Sequence, residues 1–574
     1  MLFSTVASVF GRIEKKSGRL EMTEILAGLL KEAGKEEIGE LVYMLQGILA
    51  PPYEGIDLGL GERFAIAAIA GASGYTASEV ERSFKKSGDL GDTAEQLIAT
   101  KKQTSLSSTE MSVTYVYDAM MRIAKAGGQG SQEHKIKILI ELLNNATPIE
   151  SRFIVRFVIG SLRLGVGDPT ILDSLSVAVA GDRSLREPLE RAYNVCADMG
   201  EVARALYAEP ERIGGFSVRP FKPLMPALAE RLSTPAEIIT KLGECGVEMK
   251  YDGFRLQCHR KGRRVELYSR KLERMTDMFP DIVAAVRELK QDPIIFEGEA
   301  LAFDRAKKRY FPFQQTMHRR RKHGIEAASE EFPLNVFVFD ILYLEGKDLT
   351  GEPYQKRRRS IEKIFKSGIL RPSDSLLVST TEELEKRFEE SLSAGLEGIM
   401  AKDLKAPYTA GKRKFAWIKL KKSYGRAVDT IDGVIVGYYL GQGARAAFEF
   451  GGVLVAVFNS DSGRLETVAR VATGFSEQEM AEMRGRLEKI RTEGPPANLD
   501  HKIGVDYWVE PKHVVEIAFD EITESPNHTC GMHGGKGYAL RFPRIVRIRD
   551  DKTVREITTT EETVRMYEMQ KSMR

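Results

Sequence analysis

Lys250-Tyr251-Asp252-Gly253-Phe254-Arg255 is the stretch on which the reading of this chain turns. It closes a short apolar-polar run, Val247-Glu248-Met249-Lys250, that reads as a β-strand opening into an Asp-Gly turn. Strand side chains alternate with period two, so Glu248 and Lys250 share a face. A lysine attacks a phosphorus centre only as the free amine, so a nucleophilic Lys250 needs burial or neighbouring cations to lower its pKa. Taken alone, K-x-D-G is short, and a surface turn is its plainer reading.

Working outward, more segments carry chemistry. Phe296-Glu297-Gly298-Glu299-Ala300 puts two carboxylates on one strand face, and Gly298 between them leaves room for close approach. Magnesium takes a few carboxylates together with phosphate oxygens and water; a solvated strand face is the alternative. Glu397 opens another apolar strand, Leu396-Glu397-Gly398-Ile399-Met400-Ala401-Lys402-Asp403. In Trp417-Ile418-Lys419-Leu420-Lys421 the alternation sends Trp417, Lys419 and Lys421 to one face. Two neighbouring ammonium groups repel unless an anion such as an α-phosphate lies between them. An edge strand guarded by lysines is the other reading. The run Arg541-Phe542-Pro543-Arg544-Ile545-Val546-Arg547-Ile548-Arg549 interleaves apolar residues with guanidinium forks that suit phosphate oxygens, or forms an exposed basic strand.

The rest of the chain frames these segments. Its 574 residues call for three or four packed units, and 42% hydrophobic with 29% charged residues indicates a soluble globular protein. A net charge of +3 confines any nucleic-acid affinity to local basic patches. No apolar run approaches the roughly 20 residues of a membrane helix, so no membrane partner is expected. The N-terminal residues read as an amphipathic helix, not a signal peptide. Cys196, Cys245, Cys258 and Cys530 lie far apart with no C-x-x-C pair, which argues against a zinc ribbon or disulfide framework and for reduced thiols. Residues 1–215 carry helical periodicity, with breaks near Pro51-Pro52 and Gly127-Gly130, and Asp168-Pro169 reads as a capped helix start. Glycines and prolines in 214–223 suggest a linker. Residues 216–423 alternate strands with helices such as 382–394. Residues 424–574 show roughly five strands and a charged helix near 476–492, which suits a small barrel of the oligonucleotide-binding (OB) kind. The fold class expected is multidomain α+β: an all-helical N-terminal domain, a mixed α/β domain and a C-terminal β-barrel.

In order, Lys250–Arg255, Tyr268-Ser269-Arg270, Phe296–Glu299, Phe337–Asp340, Glu397–Met400, Trp417–Lys421 and Arg541–Arg544 resemble the ordered motifs of ATP-dependent DNA ligases, nearest the archaeal and eukaryotic replicative type. The likeness spans most of the chain. Ser151-Arg152-Phe153-Ile154-Val155-Arg156 through Gly160-Ser161-Leu162-Arg163-Leu164-Gly165 is similar to the signature of that family's DNA-binding domain. On a continuous helix Arg152, Arg156 and Arg163 would fall within roughly 40° of one another. Gly160 would leave that side open to a sugar-phosphate backbone, or the row is simply a solvated face.

The resemblance implies the domains 1–215 (DNA-binding), 216–423 (adenylation, or nucleotidyltransferase) and 424–574 (OB-fold with a C-terminal helix). It implies the cofactors ATP and Mg2+, with Mn2+ as an alternative to Mg2+, and nicked duplex DNA as partner of a monomer. Lys250 would attack the α-phosphate, with Lys419 and Lys421 as catalytic clamps. Glu248 would meet the adenine amino group, Phe339 would stack on the base, and Arg255, Arg270, Arg413, Arg541 and Arg544 would bind ribose or phosphates. Glu299 and Glu397 would hold metal. Phe313 and Phe542 match positions that wedge the minor groove, with core packing the alternative. Arg319, in the basic stretch Met317–His323, would track phosphates or belong to a plain solvated loop. Lys271 stands where relatives often carry asparagine. Lys101-Lys102-Gln103-Thr104-Ser105-Leu106 sits at the place of a sliding-clamp tether beginning with glutamine, but lacks the aromatic pair. The expected location is the cytoplasm beside the nucleoid in a prokaryote and the nucleus in a eukaryote. An RNA ligase or mRNA-capping guanylyltransferase shares the lysyl-nucleotide core but needs no large helical domain. An NAD-dependent ligase would bring a four-cysteine zinc module. A catalytically dead binding protein on a ligase scaffold would not need the full set of catalytic residue types.

Overall fold

Helical periodicity in the first third becomes a bundle because the helix ends are fixed locally. Thr147 and Glu150 form a reciprocal capping box, with Pro148 in the first turn, at the start of Pro148–Val158. The Asp198 side chain caps Met199–Ala208. Among the described residues twelve α-helices lie between Phe3 and Ala208. Their apolar stripes meet in one core that includes Phe10, Leu26, Ile69, Ile123, Phe153 and Leu206. Phe10 and Phe153 pack edge to face with centroids 5.3 Å apart. The computed structural model describes residues 1–16, 18–87, 89–102, 110–128, 130–160, 162, 164–232, 234–304, 309–311, 313–321, 323–366, 368–421, 430–441 and 450–572. Asp168 differs from expectation. Gly167 occupies the cap, and the Asp168 carboxylate instead accepts from Gln46 at 2.8 Å and the Tyr193 hydroxyl at 2.9 Å. Tertiary donors outcompete the local backbone there.

Beyond the helices, the described residues of 228–421 build two sheets. Strands β1 (Leu228–Arg231), β2 (Cys245–Lys250), β3 (Phe254–Lys261), β4 (Arg264–Ser269), β5 (Ile294–Asp304), β6 (Arg309–Tyr310), β7 (Leu334–Leu344), β8 (Lys347–Asp348), β9 (Leu370–Pro372), β10 (Ser375–Val378), β11 (Gly398–Asp403) and β12 (Arg413–Lys421) follow in order. One sheet runs β1-β12-β11-β2-β10, the other β4-β3-β5-β7-β8 with β6 on β5 and β9 on β7. Residues 251–253 therefore carry the chain from one sheet to the other, and Lys250 stands at that junction. Gly253 is required there, because a Cβ would lie 2.3 Å from the Ala300 carbonyl oxygen.

The helical bundle and both sheets fall in one compact unit, Met1–Arg387 with Gly398–Lys419. The stretch read as a linker is pinned within it: Lys222 Nζ donates to the Tyr53 hydroxyl at 2.9 Å, Asp198 at 3.2 Å and Glu201 at 3.0 Å.

The second unit comprises Phe388–Glu397 and Leu420–Arg574. Thr430–Tyr439, Gly452–Phe458 and Leu465–Val471 pair antiparallel, and Val514–Ala518 joins Thr430–Tyr439 to Arg544–Ile548. Glu521–Ser525, Lys536–Arg541 and Cys530–His533 form a separate three-stranded sheet. The core of this barrel-like unit includes Ile435, Val455, Val515 and Ile517. More strands form than the alternation revealed, since several span two or three residues, too few to show a period. The charged helix is Glu477–Glu488, boxed by Ser476 and Glu479. All four cysteines are buried and free, and among the described residues no helix is long and apolar enough to cross a membrane.

Asp340 on β7 accepts from Arg357 at 2.7 and 3.1 Å, and both side chains are fully buried. Asp340→Ala strands a buried cation, so the unfolding midpoint in heat or urea should fall by the equivalent of about 3–5 kcal/mol. A midpoint within experimental error of the parent would refute this account of the pair.

Candidate active site

Register sets the neighbours of Lys250. On β2 and β11, Lys250 faces Gly398 and Glu248 faces Met400. On β3 and β5, Arg255 faces Glu299 and Gln257 faces Glu297. Burial drives the Lys250 ammonium pKa down, and the Arg270 and Arg255 cations push the same way against the Glu299 and Asp252 carboxylates. Burial lifts the Glu299 carboxyl to about 7, opposed by Lys250, Arg255 and the Gly253 N–H, which donates at 3.2 Å. Desolvation and the two cations thus set the Lys250 amine apart from a solvated lysine.

Arg255 forks onto Glu297 at 2.9 and 3.3 Å and also donates to the Ala227 carbonyl at 2.9 Å. Tyr408 donates to Glu297 at 2.8 Å, so this carboxylate is occupied by protein donors, while Glu299 on the same face remains beside Lys250. Glu248 is buried and accepts from Lys402 at 2.9 Å and from the Tyr354 hydroxyl. Phe339 lies edge-on to Trp417 with centroids 5.9 Å apart, and the Arg255 guanidinium sits 5.3 Å from its ring. Lys402, Tyr354, Tyr408, Gln257 and His259 escaped the sequence reading. Only a lysine directly after the apolar run Ile399–Ala401 hinted at the first.

In the second unit Glu397 and Lys421 form an ion pair. Arg541 pairs with Glu521, directly opposite on the neighbouring strand, and Arg544 pairs with Asp520 at 3.0 Å. Phe542 is 61% exposed with φ +52°, a left-handed backbone unusual for a bulky residue. Its side chain is thus on the surface, not in the core.

Two DNA-contact expectations need correction. Arg319 is fully buried, bonded to Asp281 at 2.6 Å, and its ring neighbour is Phe279, so it cannot track phosphates. The arginine row also fails as drawn: the helix ends at Val158, and Gly160 turns the chain with φ +69°. Arg156 is buried among Glu14, Asp89 and Asp92 at 2.8, 3.1 and 3.1 Å. Arg152 is held by Glu14, Asp92 and Glu95. These guanidiniums neutralise carboxylates of the helical bundle, and only the Arg156–Asp89 pair is buried on both sides. Gly160 is exposed with open space around it. Arg163, Gln103 and the side chains of Phe313 and Arg413 lie outside the described residues.

Among the described residues no group of three or more His, Cys, Asp or Glu could by itself hold a metal ion. The donor set fits an ion that takes one or two carboxylates and draws its remaining ligands from phosphate and water.

Three family models match the chain: DNA ligase N terminus over residues 2–176, ATP dependent DNA ligase domain over 226–421, and ATP dependent DNA ligase C terminal region over 446–552. A probable DNA ligase of Dictyoglomus turgidum is 43% identical over 577 residues, covering 100% of this chain and 98% of its own. DNA ligase 2 of Thermofilum pendens is 40% identical, covering 99% and 98%. A solved structure named Pmar-Lig_PreS3 aligns with TM-score 0.56 at 16% identity over 95% of this chain and 99% of its own, a likeness of fold.

Arg156→Met should lower the unfolding midpoint and leave the slope of log affinity against log salt for nicked duplex unchanged. A slope smaller by about one would show that Arg156 touches a phosphate after all.

Proposed function

The chain belongs to the family of ATP-dependent DNA ligases, and from that premise we propose a role for each residue in the sealing of nicked duplex DNA. The enzyme uses ATP and a divalent metal, forms a lysyl-AMP, passes AMP to the DNA end, and closes the phosphodiester bond. The observation that carries the assignment of nucleophile is the half-buried Lys250 at the junction of the two sheets, its pKa depressed by desolvation beside Arg270 and Arg255. Lys250 Nζ gives up its proton and attacks the α-phosphorus. The new N–P bond forms as the P–O bond to pyrophosphate breaks, and pyrophosphate leaves. In the second step the nick 5′-phosphate oxygen takes AMP and the Lys250 N–P bond breaks. In the third the 3′-hydroxyl oxygen attacks the 5′-phosphorus, and AMP departs.

Glu248 reads the adenine amino group and Phe339 packs on the base. Arg270 contacts ribose or phosphate, and Arg255, fixed by Glu297, orients that wall. Lys419 and Lys421 balance phosphate charge, as do Arg541 and Arg544 in the first step. We take the metal to be magnesium, with Glu299 and Glu397 as its carboxylate contacts. When bound it neutralises phosphate charge in the transition state. Phe542, exposed and held in a left-handed backbone, suits a wedge beside the nick. A monomer acting in replication, repair and recombination, beside the nucleoid in a prokaryote or in the nucleus of a eukaryote, fits this reading. The proposal extends to a clamp partnership through Gln103. The division 1–215, 216–423 and 424–574 is our functional one.

Incubation of the purified chain with magnesium and α-labelled ATP should give a stable labelled protein, absent in Lys250→Ala. Nicked duplex should discharge that label as the nick closes. A label that nicked DNA leaves in place would mean a different acceptor, and label on Lys250→Ala would mean a different nucleophile.

The pH dependence has a definite sign. Only the amine reacts, so single-turnover label transfer at saturating ATP should rise with pH and level off below the ordinary lysine range near pH 10.4. A rise that continues to that range would contradict the depression of Lys250.

A further inference from the structure

Lys402 lies within the sheet region behind Glu248 and Phe339, 1% exposed. Its Nζ donates to Glu248 Oε1 at 2.9 Å and to the Phe339 carbonyl at 2.8 Å. The ammonium also lies 4.4 Å from the Trp417 ring centroid, 4.8 Å from Tyr354 and 5.1 Å from Phe339. The Tyr354 hydroxyl donates to the same Oε1, and the Arg358 guanidinium stands 3.9 Å from it. Three donor groups from two elements thus converge on one carboxylate oxygen, inside an aromatic cage.

Stability alone does not call for this arrangement. Replacing a buried ion pair by well-packed apolar residues is often neutral or stabilising, and Trp417, Tyr354 and Phe339 would pack readily around a leucine or methionine. A fixed carboxylate, in contrast, has consequences for recognition. A carboxylate with its counter-charge accepts hydrogen bonds and donates none. Adenine presents an amino donor at the position where guanine presents an oxo acceptor. An acceptor-only group there pairs with the first and leaves the second facing another acceptor, in a site where unpaired polar groups are costly.

We propose that Lys402, assisted by Tyr354, is the positioning residue that makes the nucleobase site selective for adenine: it occupies Glu248 Oε1 and leaves Oε2 as a fixed acceptor for the base. Its contact with the Phe339 carbonyl ties the stacking residue to the same anchor, so base height and hydrogen-bond register are set together. Without Lys402 the buried carboxylate keeps only the Arg358 guanidinium, 3.9 Å away, as counter-charge, and its freed oxygen takes up a proton or water. Either gives it a donor, which guanine can use. The inference rests on the reading that Glu248 faces the base.

The test uses the full chain with α-labelled ATP and α-labelled GTP in parallel, following lysyl-nucleotide formation. The parent should prefer ATP by a factor on the order of 10² or more. Lys402→Met should cut that preference at least about tenfold, with the loss falling on KM for ATP more than on the maximal rate. Lys402→Arg should restore much of it. Tyr354→Phe removes one hydroxyl in a site that stays filled, and should lower the preference less but in the same direction. It serves as the readout if Lys402→Met does not fold. An ATP-to-GTP ratio that stays at the parent value in Lys402→Met and Tyr354→Phe, whatever their unfolding midpoints, would overturn the proposal and leave Lys402 a structural residue. A parent protein that labels with neither nucleotide would instead bring down the reading of the whole site, and this inference with it.

Discussion

A fully buried carboxylate must find donors inside the protein, and Glu297 finds them in a way that fixes the geometry around Lys250. Arg255, Gln257 and Tyr408 converge on it, at 2.9, 3.3 and 2.8 Å respectively. Two of these donors, and a neighbour of Gln257 on the same strand, carry a further obligation. Tyr408 accepts from the Ala227 N–H, Gln257 exchanges two hydrogen bonds with the Leu224 backbone, and His259, on the same face of β3, accepts from the Phe221 N–H. The segment between helical bundle and sheets is therefore laced to β3 residue by residue. Half-satisfied buried networks are costly, so the parts of this one must form together. The result is a rigid wall on which Arg255 cannot swing, next to an amine that needs a cation close by. Burial holds His259 neutral, at about 3, which keeps it an acceptor in this ladder.

The legible part of this protein was whatever repeats with a local period. Alternation placed Glu248, Lys250, Glu297, Glu299 and Lys419 on strands, and the charged helix expected near 476–492 is found at Glu477–Glu488. Glycines in the motifs could be read as close approach, and Gly298 confirms it, since a Cβ there would meet Val336 at 2.6 Å. What the sequence withheld were pairings between distant elements. Nothing local says that Lys402 reaches Glu248, 154 residues away, or that Tyr408 reaches Glu297. Charge was visible, but burial was not. Arg156 and Arg319 look like surface cations in a string of letters, and become internal counter-ions only because Glu14, Asp89, Asp92 and Asp281 come to them in the fold. Asp168 shows the same failure on a smaller scale, its capping signal overridden by Gln46 and Tyr193.

That distinction separates two kinds of arginine with different uses. Arg156, Arg319 and Arg357 are buried against carboxylates, and releasing any of them would leave an unpaired charge at low dielectric. No anionic ligand can compete for such a group without unfolding its surroundings. Arg541 and Arg544 are also paired, with Glu521 and Asp520, yet their side chains keep 24% and 33% of their surface in solvent. Ion pairs of that exposure are worth about 1 kcal/mol or less, so a polyphosphate that offers several oxygens to one guanidinium fork can displace them cheaply. The resident carboxylates hold the forks in place and keep the neighbouring strands from repelling one another while no anion is present. A basic motif can thus be fully ion-paired at rest and still serve an anionic substrate, provided that its pairs lie where water can take over the carboxylates that are released.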